Sequence, residues 1–325
     1  MQSHRKESVV TSQHPLDNHD ENGRLEDHVL HRITAIVGTK APREGEIFIG
    51  DDAAVLQAFA GQTIISTDVC VYGVHLDQNL FNLEDMGFKA VTSALSDLAA
   101  MGAWPRGIVL GVCAPAGSDL DALHRGVALA ATLCDAPVVG GDLTTGRDVA
   151  LTVTVFGECP GGGAVLRSTA RPGDGIYVSA PLGRAAAGLR LARAGASLDD
   201  ELVLAQRRPW PRLREGLALR SAGVSAMMDV SDGLSTDLHR MADASGVGFA
   251  LDRVPVAPGA LTEEALNGGE DYELLFTTSD EARLLMVCAD REVPSPLRIG
   301  TVTSDVNVRT LLGEPLPRGG WEHRL

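Results

Sequence analysis

The sequence predicts a two-domain α/β protein, and three observations support this prediction. The chain has 325 residues, and domains commonly contain about 100 to 200 residues. Short apolar runs alternate with longer segments of helical periodicity, which is typical of α/β or α+β layers. The segment Pro160-Gly161-Gly162-Gly163 suits neither a helix nor a strand. We therefore expect an N-terminal domain over residues 25–160 and a C-terminal domain over residues 165–325.

In the N-terminal part, an amphipathic helix is expected from Leu25 to about Gly38. Asn82 can cap a second helix that reaches Met101 and stops at Gly102, and a third helix is expected over residues 120–134. Strands are expected where β-branched and apolar residues dominate, at residues 47–49, 63–66, 108–112, 137–139 and 149–156.

The C-terminal part continues the alternation of strands and helices. Strands are expected at residues 176–178, 226–230 and 272–276, the last followed by a helix, and helices at residues 185–194, 213–221 and 234–244. Residues 1–24 are polar and include three histidines, and we expect them to form a disordered tail.

The net charge of −15 argues against binding to nucleic acid or to an anionic membrane surface. None of the lysines Lys6, Lys40 and Lys89 follows a glycine, so the sequence has no G-x-x-x-x-G-K-[ST] phosphate-binding loop. It also lacks the H-E-x-x-H, G-x-S-x-G and G-x-G-x-x-G patterns. The sequence therefore contains no motif that indicates a metalloprotease, a serine hydrolase or a Rossmann dinucleotide-binding domain.

The five cysteines form no C-x-x-C pair. An odd number without such a pair is typical of reduced thiols, so we expect a cytoplasmic protein. The N-terminal segment has no apolar stretch of the signal-peptide type. No uncharged apolar run reaches the ~18 residues of a membrane span.

Carboxylates recur next to apolar strands or on an apolar helix face. They are Asp51, Asp52, Asp68, Asp97, Asp142, Asp229 and Asp232. A single aspartate of this kind is explained by a turn or a helix cap. Asp97 differs because it lies inside the apolar helical segment ALSDLAAMG, where a carboxylate is costly unless it is paired or bound to a metal.

If several of these carboxylates converge, their mutual repulsion calls for cations. Ligand sets made of oxygen alone favour magnesium, which usually also binds substrate phosphates. Histidine and cysteine are too sparse near these positions to indicate zinc. The turns GGD at 140–142 and GGED at 268–271 allow backbone N–H groups to approach a ligand, although a tight turn alone explains them equally well.

Seven motifs together resemble one family. They are GDDAAVL at 50–56, STDVCVYGVHL at 66–76, FKAVTSALSDLAAMG at 88–102, GGDLTTG at 140–146, LRSTARPGD at 166–174, DVSDGLSTDL at 229–238 and GGEDYELLF at 268–276. Their order and gaps resemble those of the thiamine-monophosphate kinase family. Its superfamily includes aminoimidazole ribonucleotide synthetase and selenophosphate synthetase.

The resemblance implies the two-domain aminoimidazole ribonucleotide synthetase-like fold. In that fold the N-terminal domain binds metal and ATP and dimerises through its sheet, beside a C-terminal α/β domain. The implied reaction is magnesium-assisted, in-line transfer of the ATP γ-phosphoryl group to thiamine phosphate, giving thiamine diphosphate. The implied partners are ATP, thiamine phosphate, several magnesium ions and a second copy of the chain. A need for potassium stays open.

The resemblance also implies roles for individual residues. The metal ligands would be Asp52, Ser66, Thr67, Asp68, Asp97, Asp142, Asp229 and Asp232. ATP would contact Gly141, Asp142, Arg167 and Ser231, and thiamine phosphate would contact His75, Glu270 and Trp321. No residue is expected to act as a general acid or base, because the acceptor phosphate is already an anion at neutral pH, its second pKa being about 6.

For three of these residues a plain structural role stays open. Arg167 could be a surface arginine, Trp321 a terminal packing residue, and His75 a partner of a backbone carbonyl. The sequence departs from the family pattern at Tyr72, Leu76, Ala94 and Leu143. None of these departures removes a matched metal ligand.

Other functions on the same scaffold fit the sequence less well. Selenophosphate synthetase would need a reactive cysteine in a glycine-rich N-terminal segment, whereas the first cysteine here is Cys70. The hydrogenase-maturation relative would need a cysteine at its C-terminus, where this sequence has Leu325. Aminoimidazole ribonucleotide synthetase matches GGEDYELLF and STDVCVYGVHL less closely. The alternative from another functional class is a non-catalytic binding protein. The sequence retains every aspartate that matches a metal ligand of the family, which argues against this alternative.

Overall fold

The computed structural model describes residues 22–159 and 161–322. The predicted disordered tail lies outside the described residues except for its last three positions, which begin the first helix. Pro160 of the predicted linker also lies outside them. None of the described helices is long and apolar enough to cross a membrane.

The N-terminal half is built around a four-stranded sheet. Its elements are α1 (Asn22–Val37), β1 (Gln62–Val71), α2 (Leu83–Ala100), β2 (Trp104–Ala114), α3 (Leu120–Leu133), β3 (Val138–Thr145) and β4 (Ala150–Cys159). The strand order is β1-β4-β2-β3. Strand β4 pairs antiparallel with β1 and β2, and β3 pairs parallel with β2. Helix α2 packs against this sheet, and α3 packs against α2.

The C-terminal half is built around a seven-stranded sheet with strand order β11-β10-β7-β9-β5-β8-β6. Its helices are α4 (Arg184–Arg193), α5 (Glu201–Arg207), α6 (Leu213–Ala222), α7 (Leu234–Ser245), α8 (Thr262–Asn267) and α9 (Glu281–Asp290). Its strands are β5 (Gly175–Val178), β6 (Ala226–Val230), β7 (Gly248–Leu251), β8 (Glu273–Thr278), β9 (Leu297–Thr303), β10 (Arg309–Leu311) and β11 (Glu314–Pro315). The predicted mixture of helices and sheets is therefore confirmed.

Some predicted elements differ from the observed ones. Residues 47–49 form only isolated bridges, from Ile47 to Val55 and from Ile49 to Asp51, instead of a strand. Strands β1 and β3 run further than predicted, so Asp68 and Asp142 lie within strands and not after them. The prediction missed the short helices α5 and α8 and the strands β7, β9, β10 and β11, because a few residues carry too little periodicity to be recognised.

Helix α2 connects the two halves of the molecule. A capping box fixes its start, in which Asn82 Oδ1 accepts from the backbone N–H of Asp85 at 3.0 Å. Its backbone approaches α3 closely through two glycines. A Cβ on Gly87 would lie 2.0 Å from the carbonyl oxygen of Leu123, and one on Gly126 would lie 1.9 Å from that of Glu84. From this position α2 also contacts α6 and β6 of the C-terminal half.

The two faces of the four-stranded sheet differ. Successive residues of β1 point to opposite faces, and Cys70, which is buried, belongs to the face that α2 covers. Ile65 and Val69 belong to the other face, where they are 61% and 52% exposed. All five cysteines are free, as predicted from the absence of paired spacing.

Candidate active site

A cavity of about 950 Å³ lies between the two halves. Residues of both halves line it, among them Asp68, Asp97, Asp229, Asp232, Glu270 and Trp321. These six belong to the predicted site, although they span more than 250 positions of the sequence. A chamber of this size, closed in by both halves, has room for a substrate of drug-like size or larger.

An acidic cluster forms one part of the cavity wall. Asp68 lies on β1, Asp97 on α2, and Asp229 on β6. Ser66 donates to Asp97 Oδ2 at 2.5 Å, and Ser96 donates to Asp229 Oδ2 at 2.6 Å. The first hydrogen bond links β1 to α2, and the second links α2 to β6. Residues from both halves therefore meet at this helix.

The negative charges of the carboxylates in this cluster repel one another. Burial, and then the charge of Asp97, raise the pKa of Asp68 to about 6 and the pKa of Asp229 to about 7. Asp229 is only 7% exposed. Carboxylates with such pKa values lack compensating positive charge, which is the situation that a bound cation relieves.

The donor chemistry fits magnesium. Carboxylate and hydroxyl oxygens are the ligands that this ion prefers. The nearby Cys70 thiol does not compete, because burial raises its pKa to about 12. Among residues 22–159 and 161–322, no three His, Cys, Asp or Glu side chains are placed to hold a metal ion by themselves. Water and substrate phosphate oxygens usually supply the remaining ligands of a magnesium ion.

The loop after β6 is organised by Asp237, which the sequence analysis did not single out. Its Oδ2 accepts from the backbone N–H groups of Ser231, Asp232 and Gly233 at 3.0, 3.0 and 3.2 Å. The Asp232 carboxylate forms an ion pair with Arg240. Asp232 therefore already has a positive partner, unlike Asp229, although we predicted both as metal ligands. The sequence feature that could have identified Asp237 is its position on the apolar face of the helix predicted at residues 234–244.

Glu270 forms another part of the cavity wall. Its Oε1 lies 2.7 Å from Lys89 Nζ, and its Oε2 accepts from Gln206 Nε2 at 2.7 Å. The backbone N–H of Glu270 donates to the Ser231 carbonyl at 2.7 Å. The contacts with Lys89 and Gln206 fix the Glu270 carboxylate in a wall of the cavity. Neither Lys89 nor Gln206 was among the predicted site residues.

His75 and Trp321 also line the cavity. His75 Nδ1 accepts from the backbone N–H of Val71 at 3.0 Å, so a neutral ring carries its proton on Nε2. The ring thus accepts a main-chain hydrogen bond through Nδ1, whereas we considered only donation to a carbonyl or to a phosphate. The backbone N–H of Trp321 donates to the Asp232 carbonyl at 3.1 Å. The residue is 55% exposed, so its side chain does not serve packing alone.

Five predicted residues do not line the cavity: Asp52, Ser66, Gly141, Asp142 and Arg167. Asp52 is exposed in the segment before β1. Asp142 lies on β3, at the opposite edge of the sheet from β1. It pairs with Gly111 and so faces away from α2, on the same side as Thr67, whose hydroxyl lies 3.0 Å from that of Thr154. Arg167 is exposed.

The Gly-Gly pairs serve backbone packing. The pair at 140–141 lies within strand β3, so the turn predicted there is wrong. A Cβ on Gly269 would lie 2.7 Å from the Ser231 carbonyl oxygen, and one on Gly268 would lie 2.3 Å from that of Glu264. A Cβ on Gly141 would lie 2.6 Å from the Leu110 carbonyl oxygen. Close approach of two backbones thus explains the glycine at each of these positions.

The departures from the family pattern are accommodated locally. The Tyr72 hydroxyl donates to the Phe81 carbonyl at 2.7 Å. Leu76 and Ala94 are buried in the core, and Leu143 packs against it. None of these side chains lines the cavity among the described residues.

The chain matches two domain families. Residues 50–159 match the family described as AIR synthase related protein, N-terminal domain. Residues 171–312 match the AIR synthase related protein, C-terminal domain. Together the two matches cover most of the chain, and they confirm the predicted two-domain fold.

Among individual proteins, the chain is 35% identical over 291 residues to a thiamine-monophosphate kinase from Salmonella typhimurium, covering 84% of this chain and 89% of that protein. The crystal structure of thiamine-monophosphate kinase from Stenotrophomonas maltophilia matches with a TM-score of 0.77 and 35% identity, covering 87% of this chain and 95% of that one. A structure described as AaThiL complexed with AMPPCP and TMP matches with a TM-score of 0.72 and 27% identity, covering 92% of this chain and 97% of that one.

The relatives therefore agree with this chain in sequence over most of its length, and their solved structures agree with its fold. By these matches, the chain belongs to the thiamine-monophosphate kinase family, whose members are built from the two AIR synthase related domains.

Proposed function

We propose that the chain transfers the γ-phosphoryl group of ATP to thiamine phosphate, producing thiamine diphosphate and ADP. The observation that carries this proposal is the cavity wall itself. An acidic cluster with raised pKa values faces the same chamber as the fixed carboxylate of Glu270. The chamber thus combines a cluster suited to cation-bound phosphates with a fixed carboxylate suited to a nitrogen-rich organic group.

The acceptor needs no general base. A phosphate monoester is an anion at neutral pH, since its second pKa is about 6. The remaining barrier is the repulsion between two polyanions and the charge on the moving phosphoryl group. The chain's contribution is therefore to orient the two substrates in line and to exclude water from the chamber.

Magnesium fits the site as the screening cation. Asp68, Asp97 and Asp229, with the hydroxyl of Ser66, would hold it, and Asp52, Thr67 and Asp232 are further proposed ligands. When bound with ATP, magnesium neutralises phosphate charge and stabilises the charge that develops during transfer. Ser231, whose backbone is held by Asp237, and Arg167 are proposed ATP contacts.

Thiamine phosphate would occupy the part of the cavity that Glu270, Trp321 and His75 line. Glu270 can accept a hydrogen bond from the amino group of the aminopyrimidine. Trp321 can offer a ring face to the cationic thiazolium. His75 can donate from Nε2 to the substrate phosphate, because its Nδ1 already accepts from the Val71 backbone.

A homodimer would complete the site. The uncovered face of the sheet exposes Ile65 and Val69, and burying such a face favours association. Asp142 and Gly141 lie on β3, at the sheet edge opposite to β1. Thr67 belongs to this face, and on the edge strand β1 it lines the cavity next to Asp68. If two sheets pack through this face, Asp142 of a second copy would lie against this edge of the cavity and could add its carboxylate to the acidic cluster.

The domain limits and the location also belong to this proposal. We place metal binding, ATP binding and dimerisation in residues 25–160 and the α/β domain in residues 165–325. The five free cysteines favour a reducing compartment, so we propose the cytoplasm.

The test is a turnover assay with ATP, magnesium and thiamine phosphate. Thiamine diphosphate and ADP are expected in equal amounts, measured by chromatography. Unphosphorylated thiamine serves as the matched control acceptor and is expected to give no product, because its hydroxyl would need a base that the site does not provide. Binding of both substrates without any product would favour the non-catalytic alternative and contradict the proposal.

A further inference from the structure

A stripe of polar side chains runs along the face of α2 that meets the C-terminal half. It consists of Asp85, Lys89, Ser93 and Ser96, at spacings that place them on one side of a helix. Their partners lie in the C-terminal half: Arg208 for Asp85, Glu270 for Lys89, Tyr272 for Ser93 and Asp229 for Ser96. This polar stripe therefore connects α2 to the walls of the cavity.

Lys89 is the only basic member of the polar stripe, and it is deeply buried. Its side chain is 2% exposed, and its Nζ atom is closed off from solvent. Lysine is almost never buried so completely unless it is paired. No acceptor among residues 22–159 and 161–322 meets Nζ in hydrogen-bonding geometry. Its 2.7 Å contact with Glu270 Oε1 is therefore an ion pair.

Glu270 is held from two sides but still faces the cavity. Gln206, itself 3% exposed, donates to its second carboxylate oxygen. The side chain of Glu270 is nevertheless 30% exposed, and its backbone has a positive φ of 69°, which is unusual for a residue other than glycine. The surroundings thus determine where this carboxylate points, and substrate can still reach it.

We propose that Lys89 is a positioning residue for substrate binding: it acts through Glu270, whose carboxylate it holds in the orientation that receives the aminopyrimidine of thiamine phosphate. This inference rests on the proposed function. Other atoms of Lys89 line the cavity, but its Nζ is closed off from solvent, so its charge would act on the substrate through Glu270. Because its charge balances that of Glu270, the carboxylate would recognise the amino group by hydrogen bonding more than by attracting the thiazolium cation.

The test compares steady-state kinetics of the full chain with those of Lys89→Met and Lys89→Arg. We expect Lys89→Met to raise KM for thiamine phosphate about tenfold, which corresponds to the loss of a well-oriented hydrogen bond. Both kcat and KM for ATP should change little, because the acidic cluster is untouched. Lys89→Arg keeps the charge and should restore part of the lost affinity.

Lys40→Met is the matched control. Like Lys89, Lys40 forms an ion pair with a carboxylate: its Nζ lies 2.6 Å from Asp135 Oδ1. Both of these side chains are exposed. This variant removes the same charge by the same substitution, far from Glu270, and should leave every kinetic parameter unchanged.

A double-mutant cycle decides between positioning and a purely structural role. In a Glu270→Gln background, Lys89→Met should have little further effect on KM for thiamine phosphate. Equal losses in both backgrounds, or parallel changes in kcat and in both KM values with a lower Tm, would overturn the inference. If Lys89→Met does not fold, Gln206→Leu removes the other partner of Glu270 and should raise the same KM selectively. An unchanged KM in that variant would likewise contradict the role.

Failure of this inference differs from failure of the proposed function. If the wild-type chain made no thiamine diphosphate, the proposed function would fall. Calorimetric titration with thiamine phosphate would then still compare the wild-type chain with Lys89→Met. Equal affinities would contradict the positioning role, and a weaker affinity of the variant would support it.

Discussion

Asp97→Asn is expected to lower kcat about a thousandfold, the range seen when charge stabilisation of a transition state is lost. Burial, and then the charge of Asp97, raise the pKa of both Asp68 and Asp229. Its carboxylate is held by Ser66 at 2.5 Å. Removing its charge should therefore weaken magnesium binding at the centre of the acidic cluster. Turnover measured across a magnesium titration checks this prediction.

The same substitution should make the metal-free protein more stable. In the folded chain Asp68 and Asp229 have pKa values of about 6 and about 7, against an ordinary value of 3.8. The folded state therefore binds protons more tightly than the unfolded state. The free energy of unfolding should fall as the pH rises through about 4 to 7. With the charge of Asp97 removed, this fall should be shallower and the Tm at neutral pH higher.

Asp148→Asn is the matched control, because Asp148 is exposed and lies outside the cavity lining. It should change neither turnover nor the pH dependence of Tm. Near-normal turnover of Asp97→Asn, or a lower metal-free Tm at neutral pH than that of the wild-type chain, would contradict the assignment of Asp97 to a cation site.

Co-expressed Asp97→Asn and Asp142→Asn chains are expected to regain activity that neither variant has alone. Asp142 lies at the sheet edge opposite to β1 and on the face away from α2, so the proposed dimer brings it to the acidic cluster of the other copy. A heterodimer then contains one site with both aspartates intact and one site with neither. Differently tagged chains purified together should show about half of the wild-type activity per dimer.

Co-expression of Asp97→Asn with Asp229→Asn provides the matched control. Both residues belong to the cluster of one chain, so each site of that heterodimer lacks one of them and should stay inactive. If the Asp97/Asp142 pair also stayed inactive while forming a stable heterodimer, Asp142 would have to act within its own chain or not at all.

The resemblance to the family implied a shared site for five aspartates, of which Asp68, Asp97 and Asp229 line one cavity and Asp52 and Asp142 do not. The residues alone left convergence open, and only Asp97 stood out, because a carboxylate inside an apolar helical segment is costly unless it is paired or bound to a metal. The long helix α2 was predicted closely because Asn82 and Gly102 mark its ends. The ends of α2 could be predicted because they depend on the strong local preferences of residues that are near each other in the sequence.

Other features depend on contacts between distant residues. Lys89 looks like any lysine until Glu270 is placed beside it, 181 positions away. Asp237 looks like an ordinary helix residue until the loop at 231–233 turns its N–H groups toward it. The position of Asp142 on the face away from the cavity follows from strand order and register, which local periodicity does not specify.

Direct phosphoryl transfer within one cavity is the central claim, and the fate of the γ-phosphoryl group tests it most directly. ATP labelled with radioactive phosphorus at the γ position is incubated with the chain, magnesium and thiamine phosphate, and the product is degraded one phosphate at a time. All of the label should occupy the terminal phosphate of thiamine diphosphate, with none on a protein side chain. Label recovered as inorganic phosphate in amounts matching ADP, or attached to the protein, would contradict direct transfer.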